Sequence, residues 1–253
     1  MIPLLGKEGR AALARFVEHG TLLAFDYDGT LAPIVADPRQ AQMRARTHLL
    51  LGQVTRRYPT VIITGRSRLD LMRLLTGITS LEVIGNHGLE TDGLSGARYV
   101  RRVEAWHSRL SQVLGPIPGL LIENKRYSLA IHYRHCADPE VVRQAIARAV
   151  EALRDVRVVG GKKVTNLIPV EAPDKGRALL GACARLGCRR AVYVGDDDTD
   201  EDVFALDRPE ILLTVRVGSE TDSSADYRLD RQDDVDEFLE ILIHRSQQVH
   251  DPS

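Results

Sequence analysis

Five short apolar runs, Thr21 to Phe25, Thr60 to Ile63, Leu81 to Ile84, Ala191 to Val194 and Ile211 to Val215, constrain this chain more than anything else in it. Each is bounded by Gly, Asp or Pro and alternates with a longer segment of helical period, so each reads as a buried strand. Between them Ala178, Leu179, Ala182, Cys183 and Leu186 recur at helical spacing, and Val203, Phe204 and Leu206 begin another amphipathic turn. Strand and helix in alternation predict an α/β fold around a parallel sheet.

The middle of the chain has a different pattern. Leu120 to Glu123 and Ser128 to Arg134 are separated by the polar stretch Asn124 to Tyr127, as in a hairpin. In the second run Leu129, Ile131 and Tyr133 fall on one face, while Ser128, Ala130, His132 and Arg134 fall on the other, which can meet a ligand. A helix with the stripe Val141, Val142, Ala145, Ile146, Ala149, Val150 and Leu153 follows, then strand-like Val156 to Val159 and Val164 to Ile168. The pattern predicts a small α/β module with an open antiparallel sheet, inserted in the larger domain with limits near Arg98 and Glu171. The expected division is 1–97 and 172–253 for the larger domain and 98–171 for the insert. A frayed tail is expected from about Gln247.

Composition removes several function classes. At 253 residues with 43% apolar and 27% charged residues, the chain can bury one full core and a smaller second one. Its 34 basic and 35 acidic residues leave a net charge of -1, so no global positive field attracts nucleic acid. Aromatic residues at 5% leave little for base stacking. Cys136, Cys183 and Cys188 have no CxxC spacing and read as reduced thiols. Lys7, Glu8, Arg10, Arg15 and Glu18 interrupt the N-terminus, and no apolar run is long enough for a bilayer, so a soluble cytoplasmic protein without a membrane partner is expected. Oligomeric state stays open.

The polar chemistry sits directly behind the strands. Phe25-Asp26-Tyr27-Asp28-Gly29-Thr30 ends a buried strand in two carboxylates, a glycine and a hydroxyl, where ligands of parallel sheets collect. An ordinary Asx turn is the plain alternative. Gly195-Asp196-Asp197-Asp198-Thr199-Asp200-Glu201-Asp202 follows another strand. Its outer members Asp198, Glu201 and Asp202 read as a solvated loop face. Carboxylates crowded at a strand end repel one another unless a cation or a raised pKa relieves them. Asp26, Asp28 and one or two acids of the second cluster suit Mg²⁺, which favours oxygen ligands and sites completed by a substrate phosphate. An EF-hand is excluded, because Glu201 stands where its turn glycine belongs and the flank is a strand.

Thr64, in Ile62-Ile63-Thr64-Gly65-Arg66, puts a hydroxyl behind the second strand, and Lys175 in Pro173-Asp174-Lys175-Gly176-Arg177 supplies a compact positive charge. Such groups permit nucleophilic phosphoryl transfer. Asp26 would attack phosphorus, and Asp28 would protonate the leaving oxygen and later take a proton from water. Thr64, Lys175 and Mg²⁺ would stabilise the phosphoryl oxygens. No Gly-x4-Gly-Lys-Ser/Thr loop is present, which argues against a nucleoside triphosphate substrate.

In order and spacing these motifs resemble those of haloacid dehalogenase-like (HAD) phosphatases, and more narrowly the trehalose-6-phosphate phosphatase family. The narrower resemblance rests on Asp26 to Ile34, Thr64-Gly65-Arg66, Gly85-Asn86-His87-Gly88-Leu89-Glu90 and Gly195 to Asp202. It also rests on Glu123-Asn124-Lys125, Ser128 to Arg134 and Gly161-Lys162-Lys163-Val164, which are similar to that family's cap. The resemblance implies a Rossmann-like core, a mobile cap from the insert, Mg²⁺ dependence and hydrolysis of trehalose 6-phosphate. By motif it makes Asp26 nucleophile and metal ligand, Asp28 acid/base and backbone metal ligand, and Asp196 the remaining metal ligand. Thr64, Gly65 and Lys175 would hold phosphate. Asp197 and Asp200 would stand behind the ligands or act through water. Glu123 and Lys125 match positions that contact sugar hydroxyls, and Arg66, His87 and Glu90 would line the cleft.

One departure concerns the sugar. Asn166 stands where the family generally has a glutamate, and an amide holds a hydroxyl without charge assistance. Another sugar or polyol phosphate, of the sucrose or glucosylglycerate type, is therefore the rival substrate. The rivals from other classes are a sugar-phosphate sensor and a phospho-accepting signalling domain. Among the remaining polar residues, His132 and Arg134 read as ordinary sheet residues when the resemblance is set aside. Asp222, Asp226, Asp230, Asp233, Asp234 and Asp236 read as a solvated C-terminal face.

Overall fold

The computed structural model describes residues 1–35, 40–91, 97–161, 163–219 and 222–248. In chain order the elements begin β1 (Ile2–Pro3), α1 (Lys7–Phe16), β2 (Leu22–Phe25), α2 (Ala45–Val54), β3 (Thr60–Ile63), α3 (Arg68–Leu74) and β4 (Glu82–Ile84). Next come α4 (Ala97–Leu114), β5 (Leu121–Asn124), β6 (Leu129–His132), α5 (Pro139–Glu151), β7 (Val156–Gly161) and β8 (Val164–Pro169). The last are α6 (Lys175–Leu186), β9 (Ala191–Gly195), α7 (Glu201–Phe204), β10 (Leu212–Val217), β11 (Tyr227–Leu229) and α8 (Asp234–Gln248). Met1–Gly88 with Asp174–Ser253 form one compact unit and Leu89–Pro173 the other.

The first unit is an α/β fold on a 7-stranded sheet of order β1-β11-β10-β9-β2-β3-β4, and every strand pair in it is parallel. All residues of β2, β3 and β9 are buried, because helices cover both faces. Strand alternation divides the core. Leu23, Phe25, Ile62 and Val194 pack toward Leu13, Leu51, Phe238 and Leu242, while Leu22, Ala24, Val61 and Tyr193 pack toward Ala178, Leu179, Ala182 and Phe204. After β2 the chain winds outward through β3 and β4, and after β9 it winds the other way through β10 and β11. The winding reverses between β2 and β9, and a crevice opens at such a reversal beyond the carboxyl ends of the strands.

Two sequence expectations are corrected here. Asp236 is buried: it accepts a hydrogen bond from Thr47 Oγ1 at 2.6 Å and pairs with Arg44 at 3.2 Å, tying α8 to α2. Asp226 is exposed as expected, though it accepts from Thr214 N and Oγ1 at 3.2 and 2.8 Å and so fastens the lead into β11 onto β10. Glu201 is no solvated loop acid, because it pairs at 3.0 Å with Arg216, which is 2% exposed, and accepts from Ser224 N. Each acid meets a buried donor supplied by a segment distant in sequence. The strands β1 and β11, of 2 and 3 residues, are too short to show any period in the sequence.

The second unit carries a 4-stranded antiparallel sheet of order β5-β6-β8-β7. Leu129, Ile131 and Leu167 face Val103, Trp106 and Leu110 of α4 and Val142, Ile146 and Val150 of α5. Opposed register puts Glu123, Ala130 and Asn166 side by side on the other face. Asp138 caps α5 by accepting from Glu140 N and Val141 N, with Pro139 opening the helix. At the β5–β6 turn Arg126 has φ +73°, and its N–H donates to Asn124 Oδ1 at 2.8 Å. Among the described residues no helix is long and apolar enough to cross a membrane.

Candidate active site

Asp26 is the first residue beyond β2, and its N–H donates to Val194 O of β9 at 2.8 Å. The chain then folds back on itself, with Leu31 N and Ala32 N both donating to Tyr27 O. Gly29 makes this possible. Its φ is +90°, and a Cβ there would collide with the Asp196 carboxylate. The strand end of β9 is thus pressed against the loop behind β2, with Thr30 Oγ1 donating to Asp196 Oδ1 at 3.2 Å.

Lys175 opens α6, whose N-cap Asp174 accepts from Arg177 N at 2.7 Å. Its ammonium, on a side chain that is 2% exposed, reaches Asp26 Oδ1 at 3.0 Å and Asp200 Oδ1 at 2.7 Å. Asp200 is fully buried and accepts four hydrogen bonds. Oδ1 takes Lys175 and, at 2.6 Å, the Tyr193 hydroxyl; Oδ2 takes the N–H groups of Asp196 and Asp197 at 2.9 Å each. Gly195 is required beside it, since a Cβ there would strike the Asp200 carboxylate. Asp200 therefore shapes the acidic loop from within and holds the lysine against Asp26.

Electrostatics follow from this burial. Burial pushes the Asp26 carboxyl well above its ordinary value; Lys175 pulls it down, and Asp200, Asp196 and Asp28 push it up again. Burial works against the Lys175 charge, but Asp200 and Asp26 more than offset it and hold the ammonium above its usual range. Burial also raises Asp197 and Tyr193, whose hydroxyl donates to Asp200.

Thr64 follows β3, the neighbour of β2, and its hydroxyl accepts from Arg66 N at 3.1 Å. A Cβ on Gly65 would lie 2.6 Å from His87 Cε1, so His87, 7% exposed, is seated on that glycine. Arg66 donates from Nε and a terminal nitrogen to both oxygens of Asp28, each at 2.6 Å, and lies over the Tyr27 ring at 5.5 Å. A guanidinium fork of this kind fixes the carboxylate in plane.

Asp26, Asp196 and Asp200 each offer a carboxylate oxygen, all within 4.8 Å of one another. Hard oxygen donors in this density fit a metal ion of the magnesium or calcium type. Asp200 already serves four donors, so Asp26 and Asp196 are the carboxylates left to face a cation, next to the backbone that Gly29 brings close.

Ten of the sequence-derived residues belong to the first unit: Asp26, Asp28, Thr64, Gly65, Arg66, His87, Lys175, Asp196, Asp197 and Asp200. Glu90, Glu123, Lys125 and Asn166 belong to the second. There Glu123 Oε2 lies 2.9 Å from His132 Nε2, and Asn166 is 8% exposed. Sequence reasoning missed Tyr193. Its signal was a phenol within an otherwise apolar strand, which needs a partner when buried.

A buried β2 ending in an acid, a second acid two residues on, and a lysine and an acidic loop at neighbouring strand ends together place the first unit in the class of haloacid dehalogenase-like hydrolases. The same fold occurs in a haloacid dehalogenase-like hydrolase from B. subtilis, with a TM-score of 0.58 at 16% identity over 87% of this chain and 99% of that one. The family model for trehalose-phosphatase matches residues 24–233, and the chain belongs to that family. A trehalose-phosphate phosphatase from Mycobacterium tuberculosis is 32% identical over 235 residues, covering 86% of this chain and 60% of its own length. This chain thus spans less than two thirds of that relative. The C-terminal domain of trehalose-6-phosphate phosphatase from C. albicans shares the fold with a TM-score of 0.78 at 23% identity, covering 96% of this chain and 99% of that one.

Proposed function

We propose that the protein is a cytoplasmic, Mg²⁺-dependent phosphatase that converts trehalose 6-phosphate to trehalose and phosphate through an aspartyl-phosphate on Asp26. The observation that carries this reading is the Asp200–Lys175–Asp26 chain. It aims one carboxylate oxygen and one ammonium at the same strand-end crevice, in a chain of the trehalose-phosphatase family.

An oxygen of Asp26 attacks phosphorus as the bond to the sugar oxygen breaks, and the leaving oxygen takes its proton from Asp28. Asp28 then removes a proton from water, water attacks the acyl phosphate, and the bond from phosphorus to the Asp26 oxygen breaks, releasing phosphate. Lys175, the Thr64 hydroxyl and the Gly65 N–H hold the non-bridging oxygens. The carboxylates of Asp26 and Asp196 and the backbone of Asp28 would hold Mg²⁺, which would supply positive charge for the phosphoryl oxygens. Asp197 and Asp200 keep the acidic loop in shape. Arg66, bonded to both oxygens of Asp28, fixes the plane in which that carboxyl meets the leaving group. Arg66, His87, Glu90, Glu123, Lys125 and Asn166 are assigned to the sugar, whose hydroxyls both donate and accept.

The test is phosphate release across trehalose 6-phosphate, sucrose 6-phosphate, glucosylglycerate phosphate and glucose 6-phosphate, with and without Mg²⁺. Fast release from the first alone, abolished by chelation, is expected. Preference for a different sugar would move the assignment to another substrate, and tight binding without turnover would make the protein a sensor.

A further inference from the structure

The amino ends of the same strands carry a second cavity. Val17 and His19 lead into β2, Arg56 and Tyr58 into β3, and with Arg245 near the end of α8 they line a space of about 280 Å³. Asp26 and Thr64 lie behind the opposite ends of β2 and β3, which have 4 residues each, so roughly 13 Å of strand separates the two places.

Arginines outnumber acids on its wall three to one. Arg56, Arg57 and Arg245 all line it, and among the described residues no carboxylate comes within 4.0 Å of any of the three. The acid on the wall, Glu18, is drawn toward Arg190 at 3.6 Å. Two of the arginines are braced by backbone: Arg57 Nη1 donates to Gln53 O at 2.7 Å, and Arg245 Nε donates to Val17 O at 2.9 Å. Each keeps further N–H donors for the cavity. Tyr58 forms an inner wall with its hydroxyl tied to Leu242 O at 3.1 Å, and the charges of Arg245 and Arg57 bear on its phenol. Guanidinium groups such as those of Arg57 and Arg245, held in place and without carboxylate partners among the described residues, match the planar oxygen pairs of a phosphate.

We propose that this cavity binds a small phosphorylated metabolite, a dianion on a short carbon skeleton, as an effector site separate from the acids. The volume, equivalent to about nine waters at ~30 Å³ each, suits that class and not a nucleoside triphosphate. The inference does not depend on the activity proposed above.

Inorganic phosphate is the probe, titrated into the full ¹⁵N-labelled chain at constant ionic strength with chloride as reference. The amides of Val17 to His19, Arg56 to Tyr58 and Arg245 to Gln247 are expected to shift saturably with phosphate and not with chloride. In the Arg57→Gln/Arg245→Gln protein the apparent Kd at these amides should weaken at least tenfold, while the response at Thr64 and Gly65 and the rate of sugar phosphate turnover stay unchanged. Should that protein fail to fold, the single variant at exposed Arg56, Arg56→Gln, is expected to weaken the same response. The proposal is overturned if these amides move no more with phosphate than with chloride, or if their response survives the loss of the arginines. Either result leaves the strand-end chemistry untouched.

Discussion

Replacing Asp200 with Asn removes one charge and almost no volume from the buried centre, and two effects of opposite sign follow. Lys175 loses an attraction at 2.7 Å, about 6 kcal/mol at an effective dielectric of 20. Asp26 and Asp196 are each relieved of repulsion across up to 4.8 Å, at least about 3.5 kcal/mol apiece on the same scale. The charge terms therefore nearly cancel. Hydrogen bonding decides the loss. Asp200 accepts four donors on two oxygens, and an amide turned either way faces two of them with its own NH₂, leaving buried donors unsatisfied at about 1–3 kcal/mol each. Relief from desolving a carboxylate offsets part of this, so the expected loss is about 3–5 kcal/mol, the usual cost of breaking a buried pair from one side. Thermal unfolding followed by circular dichroism should fall by about 6–20 °C. Asp198→Asn, the same change at an exposed position of the same loop, should stay within about 0.5 kcal/mol of the parent. Equal melting temperatures for the two variants would refute the view that Asp200 organises the centre.

Tyr193→Phe should cost about 1.5–3 kcal/mol of stability, because one donor to a buried carboxylate is lost while three remain; the urea midpoint measures it. Gly29→Ala forces a Cβ into the Asp196 carboxylate at φ +90°, so phosphate release should vanish while far-ultraviolet circular dichroism stays native. Asp236→Ala should lower stability by about 1–3 kcal/mol in equilibrium unfolding, since the Thr47 hydroxyl and Arg44 lose a buried acceptor. Burial raises the Cys183 thiol to about 11, so the fold favours its protonated form. Its share of stability is then present below the unfolded thiol's pKa and declines as pH rises past it toward 11, and alkylation of Cys183 at neutral pH should be slower in the folded than in the urea-unfolded protein.

The legible parts of this molecule were those whose signal is local. β2 and β9 are short apolar runs that end in acids and β3 is one that ends in a hydroxyl, and a hydrophobic run followed at once by Asp-x-Asp-Gly announces both a strand and its functional end. The apolar stripe of α5 and the alternation in β6 were equally readable. The helix α4 was missed although Val103, Trp106 and Leu110 keep its spacing, because charged residues dilute the stripe on every other face. Partners that only the fold supplies were illegible. Asp236 looks like one more surface acid until α8 meets α2, and Glu201 does so until β10 brings Arg216 beside it. Asp200 could be named as supporting from its motif. That it saturates both oxygens, and that Tyr193 is one of its donors, depends on the close packing of β9 against α6 and cannot be read from spacing.

Borohydride reduction during turnover tests the central claim most directly, because an acyl phosphate is reduced to an alcohol while a free carboxylate is not. With trehalose 6-phosphate and Mg²⁺ present, mass spectrometry of the peptide spanning Phe25 to Thr30 should find Asp26 converted to homoserine, with no conversion in the absence of substrate. Continued phosphate release with Asp26 unmodified, or with the modification at another carboxylate, would contradict the account.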